Sequence, residues 1–410
     1  MKYFFYFVLA ILAVALLVFL GYFFRYKGGG SETPGVMNNA ASSSSSPLSF
    51  PALPLGTSPD STLPSSTTAP VHQLSPEEKF GLVSPYPASD YFISPSGTIA
   101  VIQPDGQVIK IEAGNASILS STPIANLLSA AFSRDGKLVL ASFGTSADLQ
   151  ASVFDVARKS WRPLPAGLRG ATWAPDSASI AYFTARGSRD VLETLDLGNT
   201  KAQPREMISL AAYDLVPRWV LPNQIFLEGK PSSLMPSSLL RFDIKKRALS
   251  FLVRDKLGLE TIWDKKGERG LGFEGSQNQN GGLLSLLDAQ GRASRQLSIA
   301  TLPSKCVFGA STATSSVASP SSTILYCAVP RSTQKFARSP LPDTYEKRAL
   351  FTEDGFRAIN LQSGAQTILW NDPGIILDAT RLKIFGNRLY FINRLDQKLY
   401  SLSLAEMAGN

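Results

Sequence analysis

The 410-residue sequence predicts an all-β fold, a β-propeller of seven blades, preceded by one N-terminal transmembrane helix. Three observations lead to this prediction. A long apolar stretch stands near the start of the chain, a Ser- and Pro-rich segment follows it, and a two-part repeat runs through the remainder. The expected domains are therefore an anchor at 1–27, a linker at 28–76 and a propeller at 77–410.

The predicted anchor is the stretch Tyr3–Phe24, which has 22 residues and no charged side chain. At a rise of about 1.5 Å per residue, a helix of this length spans the hydrocarbon layer. Aromatic residues gather at both ends, as they do at membrane interfaces. A cleaved signal peptide is the alternative, but such peptides have a shorter apolar core that ends in small residues. We therefore expect an uncleaved anchor and a single-pass membrane protein.

The segment 28–76 has the composition of a disordered linker. Of its 49 residues, 34 are Ser, Pro, Thr, Gly or Ala, and only two are charged. Such a segment buries too little apolar surface to offset the entropy lost on ordering. The only histidine of the chain, His72, lies in it, so the predicted propeller contains none. This argues against a Ser-His-Asp hydrolase and against a histidine-rich metal site, and we predict no metal and no cofactor.

The repeat has a first part, a turn rich in Pro, Asp, Gly or Asn beside an apolar strand, and a second part of alternating apolar residues about 20 residues later. Period-two alternation and Asp-Gly-like turns are typical of paired strands. The first parts begin at Phe92, Ala130, Ala171, Pro217, Thr261, Lys305 and Arg381. Seven units of about 48 residues match four-stranded propeller blades. A β-sandwich is the alternative, and six or eight blades stay open because the sixth unit is long.

Two units carry a recognisable signature. FSRDGKLVLASF from Phe132 and WAPDSASIAYFTA from Trp173 resemble the aromatic-Ser-Pro-Asp-Gly-Lys motif of TolB-type, WD-repeat-like propellers. The resemblance covers most of the body from about Phe80, and it implies propeller architecture and a bias toward binding rather than a specific reaction. The acidic residues that recur at these turns, Asp105, Asp135 and Asp176, are expected to be structural.

The two cysteines, Cys306 and Cys327, lie at equal distances from the middle of a Ser- and Thr-rich stretch. Two strands joined by that stretch would place them opposite each other, close enough for a disulfide. Two free buried thiols are the alternative. A disulfide needs an oxidising compartment. We therefore expect a cytoplasmic N-terminus and a propeller on the extracytoplasmic side.

The stretch Pro330–Arg348 interrupts the sixth unit between its two strand pairs. Long insertions in rigid folds often carry binding residues. The candidate binding residues are Arg331, Lys335, Phe336, Arg338 and Tyr345. The alternative is an inert surface loop that Phe336 or Tyr345 packs against the body.

The charge distribution and the missing motifs exclude several classes of function, but they do not identify a ligand. The net charge of +8 is spread without a run of five or six like charges, so we predict no nucleic-acid partner. No nucleophile elbow, phosphate loop or metal motif is present in the sequence. The first hypothesis is a membrane-anchored, non-catalytic binding or scaffold module for an envelope protein or polymer. The alternatives are an enzyme of lyase, glycosidase or cyclotransferase type that uses channel carboxylates, and a subunit of a secretion or pilus machine.

Overall fold

A computed structural model describes residues 78–404 with the exception of 113, 121, 146–147, 212–213, 277, 279 and 310–323. The predicted anchor Tyr3–Phe24, the linker 28–76 and His72 lie outside these described residues. Within the described part of the chain, no helix combines the length and the apolar character needed to cross a bilayer.

The described strands form seven antiparallel sheets of four strands each, which confirms the seven-bladed propeller. Blades 1 to 3 consist of β2–β5 (Asp90–Ile93, Ile99–Ile102, Val108–Glu112, Asn115–Ile118), β6–β9 (Leu127–Phe132, Leu138–Gly144, Leu149–Asp155, Ser160–Pro163) and β10–β13 (Arg169–Trp173, Ser179–Arg186, Arg189–Asp196, Arg205–Leu210). Blades 4 and 5 consist of β14–β17 (Leu215–Leu221, Gln224–Gly229, Pro236–Asp243, Ala248–Leu257) and β18–β21 (Glu260–Trp263, Arg269–Gly275, Gly282–Asp288, Ala293–Leu297).

The last two blades explain the long sixth unit and the closure of the ring. Blade 6 consists of β22–β25 (Cys306–Phe308, Ile324–Pro330, Asp354–Asn360, Gln366–Trp370), so the long unit is one blade with insertions. Blade 7 consists of β26–β28 (Ala379–Phe385, Arg388–Asn393, Lys398–Ser403) and of β1 (Phe80–Pro87), which pairs with β28 as the outer strand. The first and last described strands therefore share one sheet, and this pairing closes the propeller.

The turn residues have the structural role expected from the repeat. The Asp135 carboxylate accepts hydrogen bonds from the Ser133 hydroxyl and the Lys137 backbone N–H, at 2.7 and 3.2 Å. Gly136 has a φ of 71°, and a Cβ atom there would lie 2.1 Å from the Phe92 ring. This turn therefore requires glycine. Asp105 and Asp176 accept a backbone N–H two residues further on, each at 3.0 Å.

The apolar core is divided among the blade junctions. Each of seven clusters of buried side chains, counted among the described residues, combines residues from two neighbouring blades. For example, Ile102 and Val108 of blade 1 pack with Phe132 and Phe154 of blade 2. Strands buried on both faces explain why the first part of each repeat reads as a nearly continuous apolar run.

The insertion of blade 6 contains two short helices, α1 (Thr333–Ala337) and α2 (Asp343–Glu346), between β23 and β24. The sequence predicts an all-β body, and these two helices are an exception to that expectation. At five and four residues they are too short to show a helical period. Phe336 and Tyr345 hold them against the sheets, because both side chains are buried. A 3₁₀ turn, Pro303–Lys305, precedes β22.

The two ends of the propeller differ in their loops. First strands of neighbouring blades contact each other, as β2 contacts β6 and β10 contacts β14, so these strands line the centre. We call the end from which the first strands start the top face. It carries the connections between blades and the loop between the second and third strands of each blade. The insertion is one of these loops and therefore belongs to the top face.

Candidate functional site

A cavity of about 570 Å³ lies where the first strands of blades 3, 4 and 5 begin, beside the insertion. It is lined by Arg169, Gly170, Phe183, Asp190, Asp214, Leu215, Val216, Arg218, Lys230, Pro231, Glu260, Ser304, Tyr345, Glu346, Arg348, Thr380 and Arg394. Blades 3 to 7 and the insertion all contribute to this wall. A cavity at the mouth of a propeller, with charged and apolar groups converging, is the favoured place for a ligand.

Four buried carboxylates connect one blade to the next. Each accepts a hydrogen bond from a backbone N–H of the following blade or of the segment leading into it, and we call them the junction carboxylates. The pairs are Asp90 with Phe132 at 3.0 Å, Glu228 with Thr261 at 2.7 Å, Glu260 with Ser304 at 2.6 Å and Asp354 with Ala379 at 2.7 Å. Such charge-assisted bonds are stronger than neutral ones and fix the relative position of two blades.

Three of the four junction carboxylates also have a cation. Lys383 lies 2.8 Å from Asp90, Arg218 lies 2.7 Å from Glu228, and Lys305 lies 2.7 Å from Asp354. Glu260 is the exception, since no lysine or arginine nitrogen of the described residues lies within 4.0 Å of its carboxylate. A buried carboxylate without a counter-ion is costly in its ionised form.

Among the carboxyl groups that line the cavity, Glu260 accordingly has the pKa that is shifted furthest from its ordinary value. Its side chain is only 7% exposed. Burial raises its pKa to about 7, and the nearby Glu228 adds to the rise. The hydrogen bonds from Ser304 and the attraction of Arg218 oppose this shift without cancelling it. Glu260 therefore exchanges its proton near neutral pH.

The remaining charges of the cavity fall into a paired and an unpaired group. Arg169 binds Asp190, and Arg394 binds Asp378 at 2.9 Å, so these cations are neutralised. Asp214, Lys230, Glu346 and Arg348 have no ion pair within 4.0 Å among the described residues. With Glu260, the unpaired set has three carboxyl groups against two cations. The cavity thus has an excess of one negative charge once Glu260 ionises.

The five candidate binding residues of the insertion differ in burial and in their distance from the cavity. Phe336 and Tyr345 are buried against the blades, and Tyr345 is the one of the five that also lines the cavity. Arg331 donates to the carbonyl oxygens of Asp372 and Ile375, at 2.7 and 2.8 Å, and so fastens the insertion to the next connection. Lys335 and Arg338 are exposed and do not line the cavity.

The other charged residues of the cavity were missed by the sequence analysis. They come from four blades and the insertion, and none has a motif around it. Glu346 and Arg348 lie close to Tyr345 in the sequence, but nothing in the sequence marks them as residues of a cavity wall. Among the described residues, no group of three or more His, Cys, Asp or Glu side chains is arranged to hold a metal ion.

A buried ammonium fixes the insertion beside the cavity. Lys305 is fully buried, and its Nζ atom contacts five oxygen atoms. These belong to Asp354 and Asp378 at 2.7 Å, Thr352 at 3.0 Å, and Tyr345 and Ala379 at 3.1 Å. Burial alone would lower the pKa of Lys305, but Asp354, Tyr345 and Asp378 raise it. Lys305 therefore stays charged and joins blade 6, blade 7 and α2.

Arg394 completes this attachment from blade 7. Its guanidinium lies 3.9 Å from the centre of the Tyr345 ring, and it donates to the Tyr345 carbonyl oxygen at 2.8 Å. Since Glu346 and Arg348 flank this anchored tyrosine, the Lys305 and Arg394 contacts determine where the insertion presents its charges to the cavity.

The two cysteines lie opposite each other in β22 and β23, and their sulfur atoms are bonded at 2.05 Å. The bond closes the hairpin whose connecting residues 310–323 lie outside the described set. It belongs to the apolar cluster between blades 5 and 6, away from the cavity wall.

No protein-family model matches the sequence, and no curated protein matches it. Solved structures similar to the chain include oligogalacturonate lyase from Vibrio parahaemolyticus, at 8% identity and a TM-score of 0.54, over 79% of this chain and 93% of that one. TolB from Acinetobacter baumannii matches at 10% identity and a TM-score of 0.42, over 67% of this chain and 61% of TolB. The Cps50 (Swd1) β-propeller domain from Myceliophteria thermophila matches at 11% identity and a TM-score of 0.48, over 79% of this chain and 99% of that domain. TolB and WD-repeat propellers are thus among the structural neighbours, and identities this low concern the fold alone.

Replacement of Lys305 tests the role of the buried ammonium. Lys305→Met leaves Asp354 and Asp378 without their central cation, and we expect the free energy of unfolding to fall by about 3–5 kcal/mol. Lys137→Met is the matched control, because its ion pair with Asp135 is largely exposed and is worth at most about 1 kcal/mol. Urea unfolding of the full chain measures both. Equal effects of the two substitutions would contradict the assignment.

Proposed function

We propose that the protein is a membrane-tethered, extracytoplasmic binding module that receives a segment of an envelope protein at the top face. The observation that carries the proposal is the cavity, because it is open, combines unpaired charges of both signs with apolar walls, and is held in place by the Lys305 contacts. Partner surfaces commonly fill such preformed pockets with a few anchoring side chains.

Exposed apolar side chains support a protein partner rather than a polymer. Of the eleven large apolar residues that are exposed in the described chain, nine lie in top-face loops or at the top ends of strands. They are Ile118, Leu128, Val216, Leu234, Met235, Leu283, Phe351, Ile376 and Leu395, and the other two, Phe251 and Ile368, lie within outer strands. Exposed apolar groups around a polar pocket are typical of protein interfaces, whereas a hydrated envelope polymer has little use for Leu or Met contacts.

The proposed location rests on the sequence. Tyr3–Phe24 has the length and composition of a membrane anchor, and 28–76 has the composition of a tether. The bonded pair Cys306 and Cys327 fits an oxidising compartment, which supports an exported propeller and a cytoplasmic N-terminus. A tethered module could then meet partners at some distance from the membrane surface.

A propeller enzyme of lyase, glycosidase or cyclotransferase type is the second candidate, and one observation favours it. Glu260 combines burial in a cavity with a pKa near 7, as general acid–base catalysis requires. The variant Glu260→Gln separates the two candidates. A catalyst would lose its turnover in this variant, whereas a binding module has no turnover to lose.

Site-specific photo-crosslinking tests the docking proposal in the native membrane. A photoreactive residue replaces Met235, which is 68% exposed at the top face, or Ile368, which is 62% exposed in the middle of the outer strand of blade 6. We expect one discrete protein adduct from position 235 only, and we expect Leu234→Asp to weaken binding of that purified protein by about tenfold or more. Absence of an adduct at 235, equal adducts at both positions, or unchanged affinity in Leu234→Asp would contradict the proposal.

The export proposal has a separate test. The protein is alkylated in intact cells without reductant, digested, and examined by mass spectrometry. We expect the Cys306 and Cys327 peptides to be joined and to separate only after reduction, because an extracytoplasmic location keeps the bond oxidised. Two alkylated free thiols would contradict an extracytoplasmic propeller.

A further inference from the structure

Glu260 breaks a pattern that the other junction carboxylates follow. Asp90, Glu228 and Asp354 each hold a backbone N–H of the next blade and also a lysine or arginine of this chain. Glu260 accepts a hydrogen bond from the Ser304 N–H at 2.6 Å but has no such cation within the described part of the chain. Of the four, it is also the one that lines the cavity. Its missing counter-ion can therefore reach it from outside the chain.

The groups around Glu260 do not supply that counter-ion. Arg218 is the nearest candidate, but its Nε atom lies 2.7 Å from Glu228, and its charge is drawn to Glu228, Glu260 and Glu346 together. Lys230 acts on Glu346. Blade 6 contributes the Ser304 N–H, which is neutral. The charges on these elements therefore leave Glu260 with less positive charge than any other junction carboxylate.

The walls of the cavity suit a long cationic side chain. Phe183, Leu215, Val216 and Pro231 line it together with Glu260. Lysine and arginine bury their methylene stems against such apolar surface while their charged heads seek polar partners. An acidic side chain would gain the unpaired Lys230 and Arg348, which are exposed, but it would face the buried negative charge of Glu260.

We infer that the partner inserts a lysine or arginine side chain into the cavity, where its cationic group pairs with the Glu260 carboxylate. The inference rests on the proposed binding function and names the chemistry of the bound segment. The incoming cation completes the fourth junction with the same carboxylate–cation contact that the chain provides for itself at the other three. Desolvated pairs of this kind contribute strongly to the specificity of an interface.

The pairing makes affinity depend on pH in a defined direction. A bound cation favours ionised Glu260, so binding near neutrality releases a proton. Affinity therefore rises as the pH increases through the pKa of Glu260, about 7, and levels off above it. Glu346, whose pKa is also raised by burial, would contribute in the same direction. A site for an anion would show the opposite trend.

Small capped amino acids serve as probes for the full chain in detergent. N-acetyl-lysine methylamide and its arginine counterpart are titrated by NMR at a pH one unit below and one unit above the pKa of Glu260. We expect both to bind more tightly at the higher pH and to bind Glu260→Gln about tenfold or more weakly there. The norleucine and glutamate counterparts should bind weakly. Glu268→Gln, an exposed position in the turn after β18, is the matched control and should bind like the unaltered protein.

Three results would overturn the inference. They are tighter binding of the glutamate probe than of the lysine probe, a lysine affinity that falls as the pH rises, or equal lysine affinity in Glu260→Gln and the unaltered protein. Failure of the cation inference is distinguished from failure of the proposed function by measuring the affinity of the crosslinked partner. If the partner binds Glu260→Gln with unchanged affinity, docking stands and the cation inference fails. If position 235 gives no adduct, the docking proposal fails whatever the probes show.

Discussion

The structure depends on one recurring interaction, a buried carboxylate of one blade that accepts a backbone N–H from the next. A propeller has no single core, because its apolar clusters lie between pairs of blades and none extends across the ring. The carboxylate contacts give each of four such junctions a directional bond, for example between Asp90 and Phe132. Since a buried charge without a partner is costly, each carboxylate also needs a cation. The same carboxylates therefore stabilise the ring and, where the cation is missing, can bind a charged ligand.

The candidate site lies beside two junctions, one whose carboxylates have a buried cation and one whose carboxylate has none among the described residues. At the junction of blades 6 and 7, Lys305 satisfies two carboxylates and also holds Tyr345, so the insertion is fixed beside the cavity. At the junction of blades 5 and 6, Glu260 has its N–H but no cation from the described residues. The two junctions are adjacent, which places a rigid insertion next to an unsatisfied charge. Binding sites often retain such locally unfavourable groups, because a ligand removes the cost.

The sequence predicted the fold far better than the site. The turn at Asp135–Gly136 and the alternating strands repeat at blade length, because local geometry imposes the same residue types on every blade. The Cys306 and Cys327 pairing followed from hairpin symmetry. The site residues have no such local cause. Glu260 and Arg218 look like ordinary strand residues, and only the packing of blade 5 beside blade 4 brings them together. Tyr345 was selected as a binding residue of the insertion, but its hydroxyl is used to hold α2 in place.

The central claim is that Glu260 is a buried carboxyl group without a counter-ion among the residues that the structure describes. The most direct measurement is the titration of its side-chain carbon by NMR in the unliganded protein, with the resonance assigned by comparison with Glu260→Gln. The account predicts a midpoint near pH 7, because burial without a cation disfavours the ionised form. A midpoint near the ordinary value of glutamate, about 4.3, would contradict it, since Glu260 would then already be hydrated or paired.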